Sequence, residues 1–262
     1  MRIVIGVILA ALALYAVACV GLFLAQRSLI YFPQPRRFGT PETVLKLPVN
    51  GALLEVSARQ ETGPRAVIYL GGNAEDVSAS LPSLGETFPG QALYLLHYRG
   101  YGGSTGKPTE AALFADALAL FDMVHARHPQ VTVIGRSLGS GVAVHVASMR
   151  PVARLVLVTP YDSIVGIAQM QFPWFPVNLL LRDKFESGVY AARVNAPTTI
   201  IAAGNDEMIP RASSELLMTR FKPGVARYID VPEAGHNTIS DSPLYGPGLA
   251  GEALLRPAAK AK

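Results

Sequence analysis

Cysteine is nearly missing from this chain: Cys19 is the only one among 262 residues. No disulfide can close within it, and a zinc site of the Cys/His type lacks its ligands. The single thiol leaves the redox compartment open. Charge is sparse too, at 16% of residues, with 23 basic against 19 acidic side chains and a net charge of +4. Arg36-Arg37 is the only adjacent basic pair before the tail. A nucleic-acid surface needs a basic stripe or arm, so nucleic acid is excluded as a partner. Internal repeats are also lacking. What the chain has in quantity is apolar surface: half its residues are hydrophobic, enough for the core of one α/β domain once the N-terminal segment is set aside.

That segment, Ile3 to Ala25, carries no charged residue. As a helix it rises roughly 35 Å, against a hydrocarbon core of about 30 Å. A cleaved signal peptide has a short apolar stretch, whereas Gly21-Leu22-Phe23-Leu24 continues this one past the small residues Ala16-Val17-Ala18. A lipoprotein signal ending at Cys19 is poorly matched before the cysteine and apolar after it. A buried core helix should show a polar face. Segment length therefore selects a retained signal-anchor. The predicted organisation is a single-pass membrane anchor over 1–27, a Pro- and Arg-rich linker over 28–42 and one folded domain over 43–262. Arg2 lies on one flank and Arg27, Arg36 and Arg37 on the other, so the charges leave the side of the membrane open.

Beyond the linker, apolar runs alternate with helical patterns. Val44–Val49 and Leu53–Ala58 flank Asn50-Gly51, a hairpin signal. Strand patterns follow at Ala66–Leu70, Ala92–Leu96, Val131–Ile134, Leu155–Val158, Thr199–Ala202 and Arg227–Val231. Ala111–Val124 and Val142–Met149 read as helices. A hairpin followed by alternating strands and helices predicts a mostly parallel sheet with helices on both faces, its site at the carboxyl ends of the strands. The tail after Gly246, rich in Ala, Gly and Lys, is expected to fray.

Gly135-Arg136-Ser137-Leu138-Gly139 follows a predicted strand and precedes a predicted helix. A sharp strand-to-helix turn drives the serine oxygen into the site, and the glycines relieve crowding around its strained backbone. The helix start aims the Leu138 N–H at a developing oxyanion. A serine needs a base, and the base an orienting acid. Elbows of this kind recruit them in the chain order serine, acid, histidine. Asp206, after the strand Thr199–Ala202, and His236, after the last strand, meet that order. Asp162 is the second candidate acid, and Glu207 neighbours the first. Of the other histidines, His97 ends an earlier strand near the site but in the wrong order. His125 and His128 read as surface residues at a helix end, and His145 as packed or half exposed. The loop Gly71-Gly72-Asn73-Ala74 offers the Asn73 N–H as a second oxyanion donor. No metal and no organic cofactor is required.

Together, Arg99-Gly100-Tyr101-Gly102-Gly103-Ser104, the Gly-Arg-Ser-Leu-Gly elbow, Gly204…Asp206…Pro210 and Gly235-His236-Asn237 resemble the serine-aminopeptidase-like branch of the α/β-hydrolases. Within it, the likeness is to single-pass membrane-anchored members that include acyl-protein thioesterases (depalmitoylases). It covers roughly Ile30 to Ser240. It implies the α/β-hydrolase fold: a mostly parallel central sheet, helices on both faces and a small cap, here preceded by one N-terminal transmembrane helix. Two positions depart from the branch, which usually has His-Gly where this chain has Gly71-Gly72 and Asp where it has His97.

The insertion 161–195 is the expected cap. Its Phe172-Pro173-Trp174-Phe175-Pro176 and Leu179-Leu180-Leu181 suggest an apolar acyl group. The expected activity is hydrolysis of a carboxylic ester or thioester through Ser137, His236 and Asp206. The substrate would be a small-molecule or lipidic acyl compound, or a lipidated protein. One alternative is an aminopeptidase, for which Asp183 and Glu186 are candidate amine-binding groups. Another is a non-catalytic membrane-anchored scaffold.

Overall fold

Every apolar run read as a strand is a strand. The structure is a computed structural model that describes residues 1–251. β1 (Val44–Val49) and β2 (Ala52–Arg59) form the hairpin, and its turn places Gly51 at φ 74°. β2 runs antiparallel to β4 (Ala92–Leu96). From there the sheet is parallel: β4 pairs with β3 (Arg65–Leu70), then come β5 (Gln130–Arg136), β6 (Arg154–Val158), β7 (Thr198–Ala203) and β8 (Ala226–Val231). The order is β1-β2-β4-β3-β5-β6-β7-β8.

The inner strands lack polar alternation because both of their faces are covered. Ile68, Val133, Leu155, Leu157 and Ile200 pack on one side. There they meet α3 (Glu110–His125), α4 (Leu138–Met149), α7 (Ser187–Ala191) and α8 (Arg211–Arg220), through side chains such as Leu120, Val142, Ala191 and Leu217. Val67, Tyr69, Ile134, Val156 and Ile201 pack on the other side, under α2 (Leu81–Thr87) and α9 (Tyr245–Ala250). The start of the tail therefore does not fray: Leu249 is buried in this second cluster. Residues 252–262 of the tail lie outside the described residues.

Between β6 and α7 stand α5 (Ile164–Gln171) and α6 (Val177–Leu180). They make a cap narrower than 161–195. Its first residue, Tyr161, is fully buried and donates to the Leu138 carbonyl at 3.1 Å. Its last part, α7 with Val194, belongs to the sheet layers. The half-buried Glu110 side chain at the start of α3 accepts the N–H groups of Lys184 (2.7 Å) and Phe185 (3.0 Å), which fixes the return of the cap.

The first helix, α1 (Arg2–Ile30), is one unbroken rod. Its outer surface is apolar and exposed, and it is long and apolar enough to cross a membrane. The segment expected as a linker over 28–42 is instead laid along the domain. Phe32 N–H bonds the Asn73 carbonyl (3.1 Å) and Gly102 N–H bonds the Gln34 carbonyl (2.8 Å). Arg36 pairs with the buried Glu55 (3.0 Å), and Arg37 N–H bonds Asp76 (2.8 Å). Its polar groups find fixed protein partners, so it is a strap rather than a free spacer.

Candidate active site

Ser137 sits between β5 and α4 at φ 50°, ψ −119°, a left-handed backbone that costs a non-glycine residue about 1–3 kcal/mol. The surroundings enforce it. Ser137 N–H bonds the Val158 carbonyl on β6 at 2.9 Å, and its own carbonyl accepts Ser140 N–H at 2.8 Å. The two elbow glycines are required by close backbone approach. A Cβ on Gly139 would lie 2.0 Å from the Leu70 carbonyl oxygen, and one on Gly135 would lie 2.4 Å from that of Gly139. The serine is thereby lifted to the end of the sheet and beneath the cap.

The structure brings Ser137, His236 and Asp206 together. His236 Nε2 lies 2.9 Å from Ser137 Oγ. Its Nδ1 lies 2.9 and 3.0 Å from the two Asp206 oxygens. All three side chains are buried. Asp206 is itself held by Met208 N–H (2.9 Å) and Ile209 N–H (2.7 Å). With the carboxylate on Nδ1, that nitrogen carries the proton, which leaves Nε2 as the acceptor facing the serine.

The other candidate acids are turned elsewhere. Glu207 is exposed and accepts the His236 backbone N–H at 3.1 Å, a bond that lowers the Glu207 carboxyl below its usual range. Asp162 pairs with Arg220 at 3.1 Å. Among the histidines, His97 is buried and hydrogen-bonded to Ser57 Oγ at 2.9 Å. His128 is not a surface residue: it is buried between the Tyr94 hydroxyl (3.1 Å) and the Gly63 carbonyl (2.7 Å). The turn after α3 folds it back against the sheet, where its two ring nitrogens find partners. His145 stacks on Phe114 with ring centroids 4.0 Å apart, and His125 stacks on Phe121.

Two backbone donors face the same space. Leu138 and Asn73 line a cavity with Ser137, and neither N–H has a partner among the described residues. The neighbouring Gly72 N–H is occupied by Glu75 Oε2 at 2.8 Å. The Asn73 N–H, by contrast, is left free beside Ser137. The loop is pinned on both sides of it by residues that motif reading did not identify as parts of a site. The Tyr98 hydroxyl donates to the Gly71 carbonyl (3.0 Å), and the Tyr101 hydroxyl to the Asn73 carbonyl (2.5 Å). Burial pushes both phenols up, so they remain protonated donors. Glu75 also accepts the Tyr69 hydroxyl (2.8 Å) and Ser80 Oγ (2.9 Å), and stands 3.5 Å from Arg136. The signal for Tyr101 was the Arg99-Gly100-Tyr101 stretch itself, and Tyr98 directly precedes it. Glu75 gave none, because a lone acid after a glycine turn has many blander uses.

The cavity has a volume of about 200 Å³ and a mostly apolar lining. Cap residues Ile164, Ile167, Phe172 and Phe175 face Ser137 across it, with Met208 and Ile209 from the acid loop. Further wall comes from α1, through Leu22, Phe23, Gln26, Leu29 and Ile30, which nothing in the sequence indicated. Asp183, one candidate for binding a substrate amine, is unavailable: it is buried against Arg27 (3.0 Å) and the Tyr31 hydroxyl (3.2 Å). The other, Glu186, is exposed outside the cavity. Among the described residues there is no cluster of His, Cys, Asp and Glu able to hold a metal ion.

A family model for the alpha/beta hydrolase fold matches residues 65–187. An uncharacterized protein of Mycobacterium tuberculosis is 33% identical over 237 residues, covering 81% of this chain and 80% of that one. The human alpha/beta hydrolase domain-containing protein 17B is 32% identical over 158 residues, covering 59% of this chain and 52% of its own. Among solved structures, the esterase Pf2001 of Pyrococcus furiosus superposes with a TM-score of 0.67 at 19% identity, over 84% of this chain and 97% of that one. This last likeness is one of fold.

Proposed function

The chain belongs to the α/β-hydrolase family, and from that premise we propose that it is a membrane-anchored serine hydrolase cleaving a carboxylic ester or thioester with an apolar acyl group. The observation that carries this reading is the line from Ser137 Oγ through His236 to Asp206, with hydrogen bonds of 2.9 Å on each side of the imidazole, at the floor of an apolar cavity.

Ser137 Oγ attacks the acyl carbonyl carbon while His236 Nε2 takes the serine proton. The carbonyl oxygen gains the negative charge, and the Leu138 and Asn73 N–H groups stabilise it without having to reorganise. Asp206 holds the imidazolium that forms. His236 then gives the proton to the departing alcohol or thiol, leaving an acyl-Ser137 ester. A water molecule, deprotonated by His236, attacks that ester, releases the acid and restores the serine.

The apolar lining of the cavity supports an acyl group over a charged one. The aminopeptidase reading is disfavoured because Asp183 is already paired with Arg27 and Tyr31. The scaffold reading has no use for a strained serine or for two unpartnered donors beside it. The apolar exposed surface of α1 supports a retained anchor.

The test is labelling with a fluorophosphonate, which reacts with an activated serine. The wild type is expected to label, and Ser137→Ala is expected to lose both label and ester turnover. Equal labelling of the two proteins would sink the reading.

A further inference from the structure

A helix that only tethers a domain needs no specific contact with it. α1 makes several with the cap. Gln26 is buried and bridges the two elements: Nε2 donates to the Phe23 carbonyl of its own helix at 2.7 Å and to the Leu180 carbonyl at 3.2 Å, and Oε1 accepts Arg182 N–H at 2.7 Å. A buried amide is costly to leave without partners, so these bonds specify the docking. Arg27 and Tyr31 close on the buried Asp183. The Arg182 guanidinium lies 4.1 Å over the Phe23 ring. Nearer the N-terminus, Tyr15 stacks on Phe175 with ring centroids 5.6 Å apart and donates its hydroxyl to the Trp174 carbonyl at 2.9 Å.

These contacts divide the helix. Residues 2–21 alone rise about 30 Å, the thickness of a hydrocarbon core. The positions that line the cavity, Leu22, Phe23, Gln26, Leu29 and Ile30, follow at helical spacing on one face. Leu24 points to the opposite face and is 76% exposed. The cavity is therefore a gap between the membrane-proximal end of α1 and the cap. The cap's outer edge continues the apolar surface of the helix, with Trp174 84% and Leu179 83% exposed. Tyr15, which holds this edge, lies roughly 10 Å further along the helix axis than Leu22, towards the bilayer.

We propose that α1 is part of the acyl-binding site: the acyl chain of a bilayer-resident ester or thioester enters between α1 and the cap and reaches Ser137 without crossing water. The last two turns of the helix are then the wall that selects the chain. This inference rests on the acyl-hydrolase reading above and adds the source of the substrate and the residues that measure it.

The test uses the full-length protein in liposomes and p-nitrophenyl esters from acetate to palmitate. Leu22→Trp, which fills the gap from the helix side, is expected to lower the octanoate-to-acetate ratio of kcat/KM by about tenfold or more, since each excluded methylene forfeits about 0.8 kcal/mol of burial. Leu24→Trp adds the same bulk to the opposite face and is expected to leave the ratio within about twofold. Fluorophosphonate labelling of each protein reports the serine independently. Labelling intact with one ratio shared by all three proteins would overturn the role of α1 and spare the Ser137 reading. No labelling of the wild type would instead remove the hydrolase reading, and the acyl wall with it.

Discussion

The Tyr101 hydroxyl donates to the Asn73 carbonyl oxygen at 2.5 Å, and this bond bears on a neighbouring group rather than on Tyr101 itself. The peptide unit between Gly72 and Asn73 carries the free N–H. The units on either side are clamped, one by Tyr98 and Glu75 acting on Gly71 and Gly72, the other by Tyr101 and the Phe32 N–H acting on Asn73. The unit between two fixed planes has little freedom, so the Asn73 N–H is held in one direction, as the proposed oxyanion role would require.

Tyr101→Phe removes the clamp while keeping the ring. The expected result is a fall in kcat of about tenfold with KM little changed, less than the loss of a donor itself because the N–H remains but is no longer held. Global stability should fall by only about 1 kcal/mol. Turnover is normalised to the fluorophosphonate-titratable sites. A Tyr101→Phe protein with normal turnover per titrated site would reduce the tyrosine to a packing residue.

Three acids were compatible with the chain order, and the geometry separates them. Asp206→Asn leaves His236 with the wrong proton arrangement and is expected to lower kcat by about 10⁴-fold. Glu207→Gln loses a charged acceptor for the His236 backbone N–H, and its exposed position limits the expected loss to about tenfold or less. Asp162→Asn, at an ion pair with Arg220, should leave kcat within about twofold. Single-turnover acylation rates for the three variants decide the assignment.

The strands were legible because each is a short apolar run bounded by turn residues, and the elbow because its glycines answer to a local steric demand. The meeting of Asp206 and His236 at Ser137 was legible through chain order together with their places just after strands. What stayed hidden depends on contacts between residues far apart in sequence. Nothing local tells that Gln26 satisfies backbone groups at Leu180 and Arg182, or that Glu75 occupies the Gly72 N–H. The strap after α1 resembled a spacer because its composition is that of one. Its order comes from Asp76, Glu55 and the Asn73 carbonyl, partners that composition cannot name.

His97 stands where the resembling branch carries an aspartate, and it gives a pH dependence of stability. Burial holds its imidazole down at about 4, against Asp76 and Glu55, which pull it up. In the unfolded chain its value is about 6.5. Between those values the unfolded state binds the proton and the native state does not. The stability it contributes is therefore complete above about 6.5 and lost as pH falls towards 4, with a loss of about 2 kcal/mol by pH 5. Melting followed by circular dichroism at pH 7.5 and pH 5 should show a steeper drop for the wild type than for His97→Gln. Parallel drops in the two proteins would mean that His97 is not the titrating group.

Trp174 is the only tryptophan in the chain, so its fluorescence reports the outer edge of the cap without a label. It is 84% exposed, and its backbone carbonyl accepts the Tyr15 hydroxyl halfway along α1. If residues 2–21 of α1 span the bilayer, Tyr15 stands roughly 10 Å inside the end of that span, so this edge lies against the upper part of the acyl chains. In liposomes, phospholipids brominated near the headgroup end of the acyl chain are expected to quench Trp174 strongly. Aqueous iodide should quench it weakly, and the emission should lie to the blue of that of a hydrated indole. Asp183→Asn weakens the clamp on Arg27 and Tyr31 that holds α1 to the cap, and should shift the balance from the lipid quencher towards iodide. Strong iodide quenching with no effect of brominated lipid in the wild type would place the cap edge in water and detach the cavity from the membrane. An acyl chain would then have to leave the bilayer before reaching Ser137, and the packing of Leu22 and Phe23 on the cap would serve only to fix the helix.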